Sequence, residues 1–303
     1  MRSIYYILFI ILSISLFYSC GDSFTQTLDI DEPEFKSQMT FFTRSTLGDT
    51  LVEYLVGRNV GIIQSGPETN YFLQDAELSI LRLPAGPRFN FKEHGVWNGS
   101  GYYTLQGLQK DFFQEGQKYR YELSHPEFTN SITELTFPKL GSITNIEYKF
   151  EGGLDEEGDE ASSINFDILD LAAEENYYEL ELLKYNHEND LMPHSIWIFT
   201  IDPTAIKAIP DDHLFFSDES FDGEAKNIEI KFDRWNYDPD SGARLELRWR
   251  SINKGYYDYV KTLSRFSDTQ DTPFISPVQV SSNVNDALGA IGLRAEIVYE
   301  IPK

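Results

Sequence analysis

Between Arg244 and Arg250, polar and apolar side chains alternate without a break: Leu245, Leu247 and Trp249 on one parity, Arg244, Glu246, Arg248 and Arg250 on the other. Successive side chains of a strand point to opposite faces, so a strict period of two predicts a strand with one face in a core and one in water. Ile228-Glu229-Ile230-Lys231-Phe232 and Tyr178-Glu179-Leu180-Glu181-Leu182 repeat the pattern. Half-buried strands of this kind belong to antiparallel sheets, because parallel sheets are covered on both faces and read as continuous apolar runs.

The first half of the chain carries shorter runs rich in aromatic and β-branched residues: 39–44, 49–56, 77–83, 101–105 and 118–123. Turn chemistry separates them, in Ser65-Gly66-Pro67, Pro84-Ala85-Gly86-Pro87 and Asn98-Gly99-Ser100-Gly101. The spacing predicts an antiparallel sandwich of roughly 100 residues, of immunoglobulin or transthyretin type, over 36–140. A second β-sandwich or barrel-like domain is expected over 141–303. The acidic run Asp155 to Glu160 reads as a solvated hairpin loop. One segment is helical in pattern: Tyr256, Tyr259, Val260, Leu263 and Phe266 form an apolar stripe along 255–267. The fold class is therefore all-β, mainly antiparallel, with one C-terminal amphipathic helix, expected to plug an open edge or barrel end.

The opening residues have a different character. Met1 and Arg2 precede an apolar stretch from Ile4 to Tyr18, and Leu16-Phe17-Tyr18-Ser19-Cys20-Gly21 follows. This is the anatomy of a secretory signal peptide of the bacterial lipoprotein type over 1–19, cleaved before a cysteine that is then acylated. Ile4 to Tyr18 is shorter than the roughly 20 residues of a membrane span and is interrupted by Ser13 and Ser15. Cys20 is thus the lipidation site, and several acyl chains on it would hold a domain firmly to a bilayer. The acidic, apolar-poor segment 20–35 reads as a flexible tether.

Cys20 is also the only cysteine. The body behind it has no disulfide, no cysteine metal site and no cysteine nucleophile, and depends on burial of its 22 Phe, 18 Tyr and 4 Trp. A formal net charge of −24 argues against nucleic acid and anionic lipid head groups as partners.

No constellation in the sequence carries chemistry. His187 and His194 flank a Pro-containing loop with too few ligands for zinc, and their spacing departs from His-Glu-x-x-His. Asp238 to Gly242 and Asp218 to Gly223 have the oxygen ligands calcium prefers but lack the bidentate acid that completes a calcium loop, and both match turns. Neither a Gly-x-Ser-x-Gly elbow nor a phosphate-binding glycine loop is present. The catalytic, metal and cofactor assignments are therefore none.

The last third carries a distinctive succession: Phe216-Ser217-Asp218-Glu219-Ser220-Phe221-Asp222-Gly223, the strand from Arg244 to Ile252, Tyr256-Tyr257-Asp258-Tyr259, the segment Pro273 to Val280, Ser282-Asn283-Val284, and Ala287-Leu288-Gly289-Ala290-Ile291-Gly292. With the acidic Leu28-Asp29-Ile30-Asp31-Glu32-Pro33 and Asp75-Ala76-Glu77-Leu78, it resembles the Bacteroidota outer-membrane lipoprotein family known as domain of unknown function 4249. The resemblance implies a two-part β protein acting beside a TonB-dependent outer-membrane transporter, and carries over no catalytic residue. Read as structure, Leu288-Gly289 and Ile291-Gly292 predict a close backbone approach. Phe274 and Tyr256 are candidates for ligand contact or for core packing.

The expected function is that of a non-enzymatic binding or accessory subunit of a TonB-dependent transporter. It would be lipid-anchored in the outer membrane and face the cell exterior. A structural or assembly component of a larger envelope complex, or a surface polymer hydrolase, are the alternative readings.

Overall fold

The computed structural model describes residues 35–61, 71–93, 101–155, 157–187, 191–208, 212–269 and 278–301. Cys20, the segment before it and the tether up to residue 34 lie outside the described residues, as does Phe274. Among the described residues seventeen strands follow in order: β1 (Met39–Thr46), β2 (Leu51–Arg58), β3 (Glu77–Arg82), β4 (Arg88–Asn90), β5 (Lys92–Glu93), β6 (Tyr102–Gln106), β7 (Lys118–Ser124), β8 (Ser131–Thr136), β9 (Ser142–Lys149), β10 (Ala161–Leu169), β11 (Tyr177–Tyr185), β12 (His194–Ile196), β13 (Ile206–Lys207), β14 (Leu214–Ser217), β15 (Ala225–Asp233), β16 (Arg244–Ile252) and β17 (Leu288–Glu300). The helix α1 (Lys254–Thr269) lies between the last two. The protein is all-β with antiparallel pairing predominant, and the five strands read from the first half appear within two residues of their expected ends. No helix among the described residues is long and apolar enough to cross a membrane.

One ten-stranded sheet, in the order β13-β14-β11-β16-β17-β1-β2-β6-β5 with β12 beside β11, organises the molecule. Its inner face is backed by two smaller sheets. β4-β3-β7-β8 packs on β1, β2 and β6 through Phe41, Tyr54, Tyr103, Ile80, Tyr119 and Tyr121. β15-β10-β9 packs on β11, β14 and β16 through Leu180, Leu247, Trp249, Ile164, Phe166 and Ile230. Residues up to Phe137 supply most of the first core and residues from Ile143 the second. β17 belongs to both sides of the large sheet: it runs antiparallel to β16 and parallel to β1, with Thr40 opposite Leu288 and Thr46 opposite Arg294.

The glycines of β17 explain how closely it is packed. Gly289 sits at φ 120°, and a Cβ there would lie 2.0 Å from the Phe41 carbonyl oxygen. A Cβ on Gly292 would meet the Tyr256 ring at 3.1 Å, so its absence lets α1 settle onto the sheet. The helix therefore does not plug an edge. It lies across the outer face over the central strand β17, because Tyr256, Tyr257 and Val260 find a second apolar patch there in Tyr177, Phe215, Ile252 and Ala290. Its buried stripe is turned toward β11 and β13, and Ser264 Oγ donates to the Lys207 carbonyl at 3.0 Å.

Two asparagines extend the sheet where β16 stops. β16 ends opposite Arg294, which leaves earlier residues of β17 without a strand on that side. Asn283 accepts from Ile291 N at 2.8 Å and donates to Ile291 O at 2.9 Å, and Asn253 accepts from Leu293 N at 2.7 Å. The next asparagine, Asn285, donates from its side chain to Ile132 O at 2.8 Å and so ties this loop to β8.

Candidate functional site

The outer face of the large sheet is only partly covered by α1, and what remains open is charged. The register places Phe215, Glu179, Arg250 and Glu296 in one row across β14, β11, β16 and β17. The next row holds Glu181 opposite Arg248, with His213 two residues before Phe215 beside Glu181. These are the polar parities of strands whose apolar parities, Leu180, Leu214 and Trp249, fill the second core. The alternation seen in the sequence thus orients Glu179, Glu181, Arg248 and Arg250. It did not predict burial: the Arg250 side chain is 3% exposed and that of Glu179 0%.

Arg250 is fully engaged. Its Nη1 lies 2.8 Å from Glu179 Oε1, its Nη2 2.5 Å from Glu181 Oε2 and its Nε 2.6 Å from Glu296 Oε2. His213 closes the other side, Nδ1 2.8 Å from Glu179 Oε1 and Nε2 3.3 Å from Glu181 Oε1. Arg294 Nη1 approaches Glu179 Oε1 at 3.5 Å. Burial works against every one of these charges, and their mutual attraction outweighs it. Glu179 is held well below the usual carboxylate range by Arg250, Arg294 and His213. Against its burial, Glu181 is lowered to about 2 by His213 and Arg250. The His213 imidazole is disfavoured as a cation by burial, yet the two carboxylates raise it to about 9.

This network forms the floor of a cleft of about 690 Å³. β1 and β2 contribute its other wall, with Phe42, Arg44, Glu53 and Leu55, and Tyr102 of β6 reaches in to donate its hydroxyl to the Glu53 carboxylate. Four of the twelve arginines of an acidic chain, Arg44, Arg248, Arg250 and Arg294, line this one cleft. Arg248 is loosely held, 3.4 Å from the Tyr185 hydroxyl and 3.8 Å from Glu246, and its Nε is buried without a partner.

A second acidic group is structural. Ligand atoms of Asp170, Asp218 and Asp222 come within 4.8 Å of one another. Their oxygens already accept from the Tyr178 hydroxyl, Gly223 N, Asn176 N and Ala173 N, at 2.6 to 2.9 Å. Asp218 to Gly223 is the turn expected, with Gly223 at φ 70°, and Asp238 to Gly242 is another, with Gly242 at φ 80°. His187 and His194 are both exposed. Tyr256 belongs to the core under α1 and not to the cleft. The acidic run from Asp155 closes tightly, since the Asp155 side chain accepts from Glu157 N and Asp159 N.

Sequence reasoning singled out none of the cleft residues. A signal was available in the matching spacing of Glu179-x-Glu181 and Arg248-x-Arg250, two pairs of opposite charge at i, i+2 on strands whose apolar positions match.

Residues 26–296 match the model of a family described as "Domain of unknown function (DUF4249)". No curated protein matches the chain. Among solved structures, it is similar to a DUF3823 family protein from Parabacteroides merdae at 9% identity, over 71% of this chain and 92% of that one, with a TM-score of 0.20. It is also similar to a mutant of Salmonella alpha-2-macroglobulin at 10% identity, over 92% of this chain and 16% of that one, with a TM-score of 0.22. TM-scores this low establish neither a shared fold nor a shared activity.

Proposed function

The chain belongs to the DUF4249 family, and from that footing we propose that it is a non-enzymatic binding or accessory subunit of a TonB-dependent transporter, anchored in the outer membrane through an acylated Cys20 and facing the cell exterior. The observation that carries the binding part is the state of the cleft. Catalysis of proton transfer near neutral pH calls for a group whose pKa lies near the working pH. Here Glu179 and Glu181 are held ionised and His213 is held protonated, each by the others and by Arg250. Such a floor, in which each acid and the imidazole are held by the others, is preorganised for recognition. The anchor rests on the sequence before Gly21, and the acidic segment behind it serves as the spacer.

A tagged full-length chain, extracted from outer membranes in mild detergent, should bring a TonB-dependent transporter with it. Protease added to intact cells should remove the body. Recovery of the chain alone, together with turnover of a glycan or peptide by the purified protein, would replace this reading with that of a hydrolase.

A further inference from the structure

We propose that the cleft on the outer face of the large sheet binds a neutral polyhydroxylated ligand, a short saccharide, through the hydrogen-bonding capacity that its ion-paired side chains have left over; this rests on the binding-subunit reading above. A guanidinium has five N–H donors and a carboxylate about four lone-pair positions, so a side chain can be neutralised by a partner and still have unfilled sites. Arg250 binds a carboxylate through each of its three nitrogens, and Glu181 is shared between Arg250 and His213. Cations and anions are interleaved along the cleft, with Arg44 of β1 and Glu53 of β2 both in its wall. The field that would select a free ion is therefore largely cancelled.

An ion or zwitterion would have to break one of these pairs, leaving a buried charge uncompensated. A hydroxyl group does not, because it donates and accepts at once. It can add to a carboxylate lone pair and to a guanidinium N–H, and Arg248 Nε is such a donor without a partner. The rim suits the same ligand. Leu51 and Leu55 are 43% and 46% exposed beside Tyr102 and Phe42, an apolar shelf for the C–H faces of sugar rings. A volume of about 690 Å³ falls among small-molecule sites, roughly 300–1,000 Å³.

The test is calorimetry on the full-length chain in detergent with maltotriose, cellotriose and triacetylchitotriose, each to about 10 mM. At least one should bind saturably, with a Kd that changes less than about twofold between roughly 50 and 500 mM salt. Arg248→Met and Tyr102→Ala should each weaken it about tenfold or more, with the thermal midpoint of each variant showing that it is folded. The proposal is overturned if none of the three binds, if binding falls steeply with salt, if inorganic phosphate or trilysine competes, or if both folded variants bind as the wild type does. Loss of saccharide binding with transporter co-purification intact sinks this inference alone. Loss of both removes the reading beneath it.

Discussion

Glu179 and Arg250 stand opposite each other on β11 and β16, their carboxylate and guanidinium 2.8 Å apart where solvent reaches almost nothing of either. Breaking a buried pair from one side leaves the other charge stranded. Arg250→Met should therefore cost about 3–5 kcal/mol of stability. Combining it with Glu179→Gln should cost less than the two single changes summed, by about 1 kcal/mol or more. A urea-denaturation cycle on the four proteins measures this, and strict additivity would show that the pair is not coupled.

Stability should fall on both sides of mildly acidic pH. His213 has its pKa raised from 6.5 to about 9 in the folded protein. Its contribution is complete below about pH 6.5 and is lost as pH rises toward 9. The two glutamates have theirs lowered from 4.5, so their contribution is present above that value and is lost as pH falls, for Glu181 toward about 2. The thermal midpoint should peak between about pH 5 and 6.5. His213→Gln should flatten the decline between pH 6.5 and 9 while leaving the acid limb in place; an unchanged alkaline limb would assign that decline to another group.

Asn283 should matter more than a partly exposed loop residue ordinarily does. Its side chain satisfies both the N–H and the carbonyl of Ile291, a residue with no solvent access. Asn283→Ala strands the buried N–H, while the carbonyl keeps its 3.1 Å bond from Asn253 Nδ2, and should cost about 1–3 kcal/mol. Asn285→Ala, whose side-chain bond is to the exposed side of β8, should cost under about 1 kcal/mol. Chemical denaturation of the two variants reads the difference, and equal losses would contradict the strand-extending role of Asn283.

Gly289→Ala should be the most damaging added methyl among the described glycines. The position combines φ 120° with a Phe41 carbonyl oxygen 2.0 Å from any Cβ. Strain and overlap together should cost about 3 kcal/mol or more. Ala at Gly48, at φ 88° with nothing near its Cβ, carries the backbone strain alone and should cost about 1 kcal/mol. Comparable midpoints for the two variants would mean that β17 can move away from β1.

The strands were legible because their apolar parities feed two cores. β15 and β16 were read from period-two alternation, and of the two glycines read as close backbone approaches Gly289 meets the Phe41 backbone while Gly292 meets the Tyr256 ring. What stayed hidden is what alternation cannot encode. It says which side chains share a face but not what covers that face, so Arg250, Glu179 and Glu181 read as wet residues although neighbouring charges and strands bury them. Pairing partners were equally silent. Nothing local in Thr40 to Thr46 says that its parallel neighbour is Leu288 to Arg294, because both runs would satisfy many other strands. The helix was placed nearly to its ends, but its destination required knowing that Phe215, Ile252 and Ala290 form an apolar patch on the far side of the sheet.

The position of β17 also sets a timetable. Arg294 Nε donates to Thr46 Oγ1 across 248 residues of chain, and β1 lies between β2, its neighbour in sequence, and β17, which is made long after it. Long-range pairings of this kind are slow to form, because a large loop must close before any contact rewards it. That edge of β1 therefore stays unpaired until β17 has been made. Until then β1 carries an open strand edge, the kind of surface that invites wrong pairing with another chain.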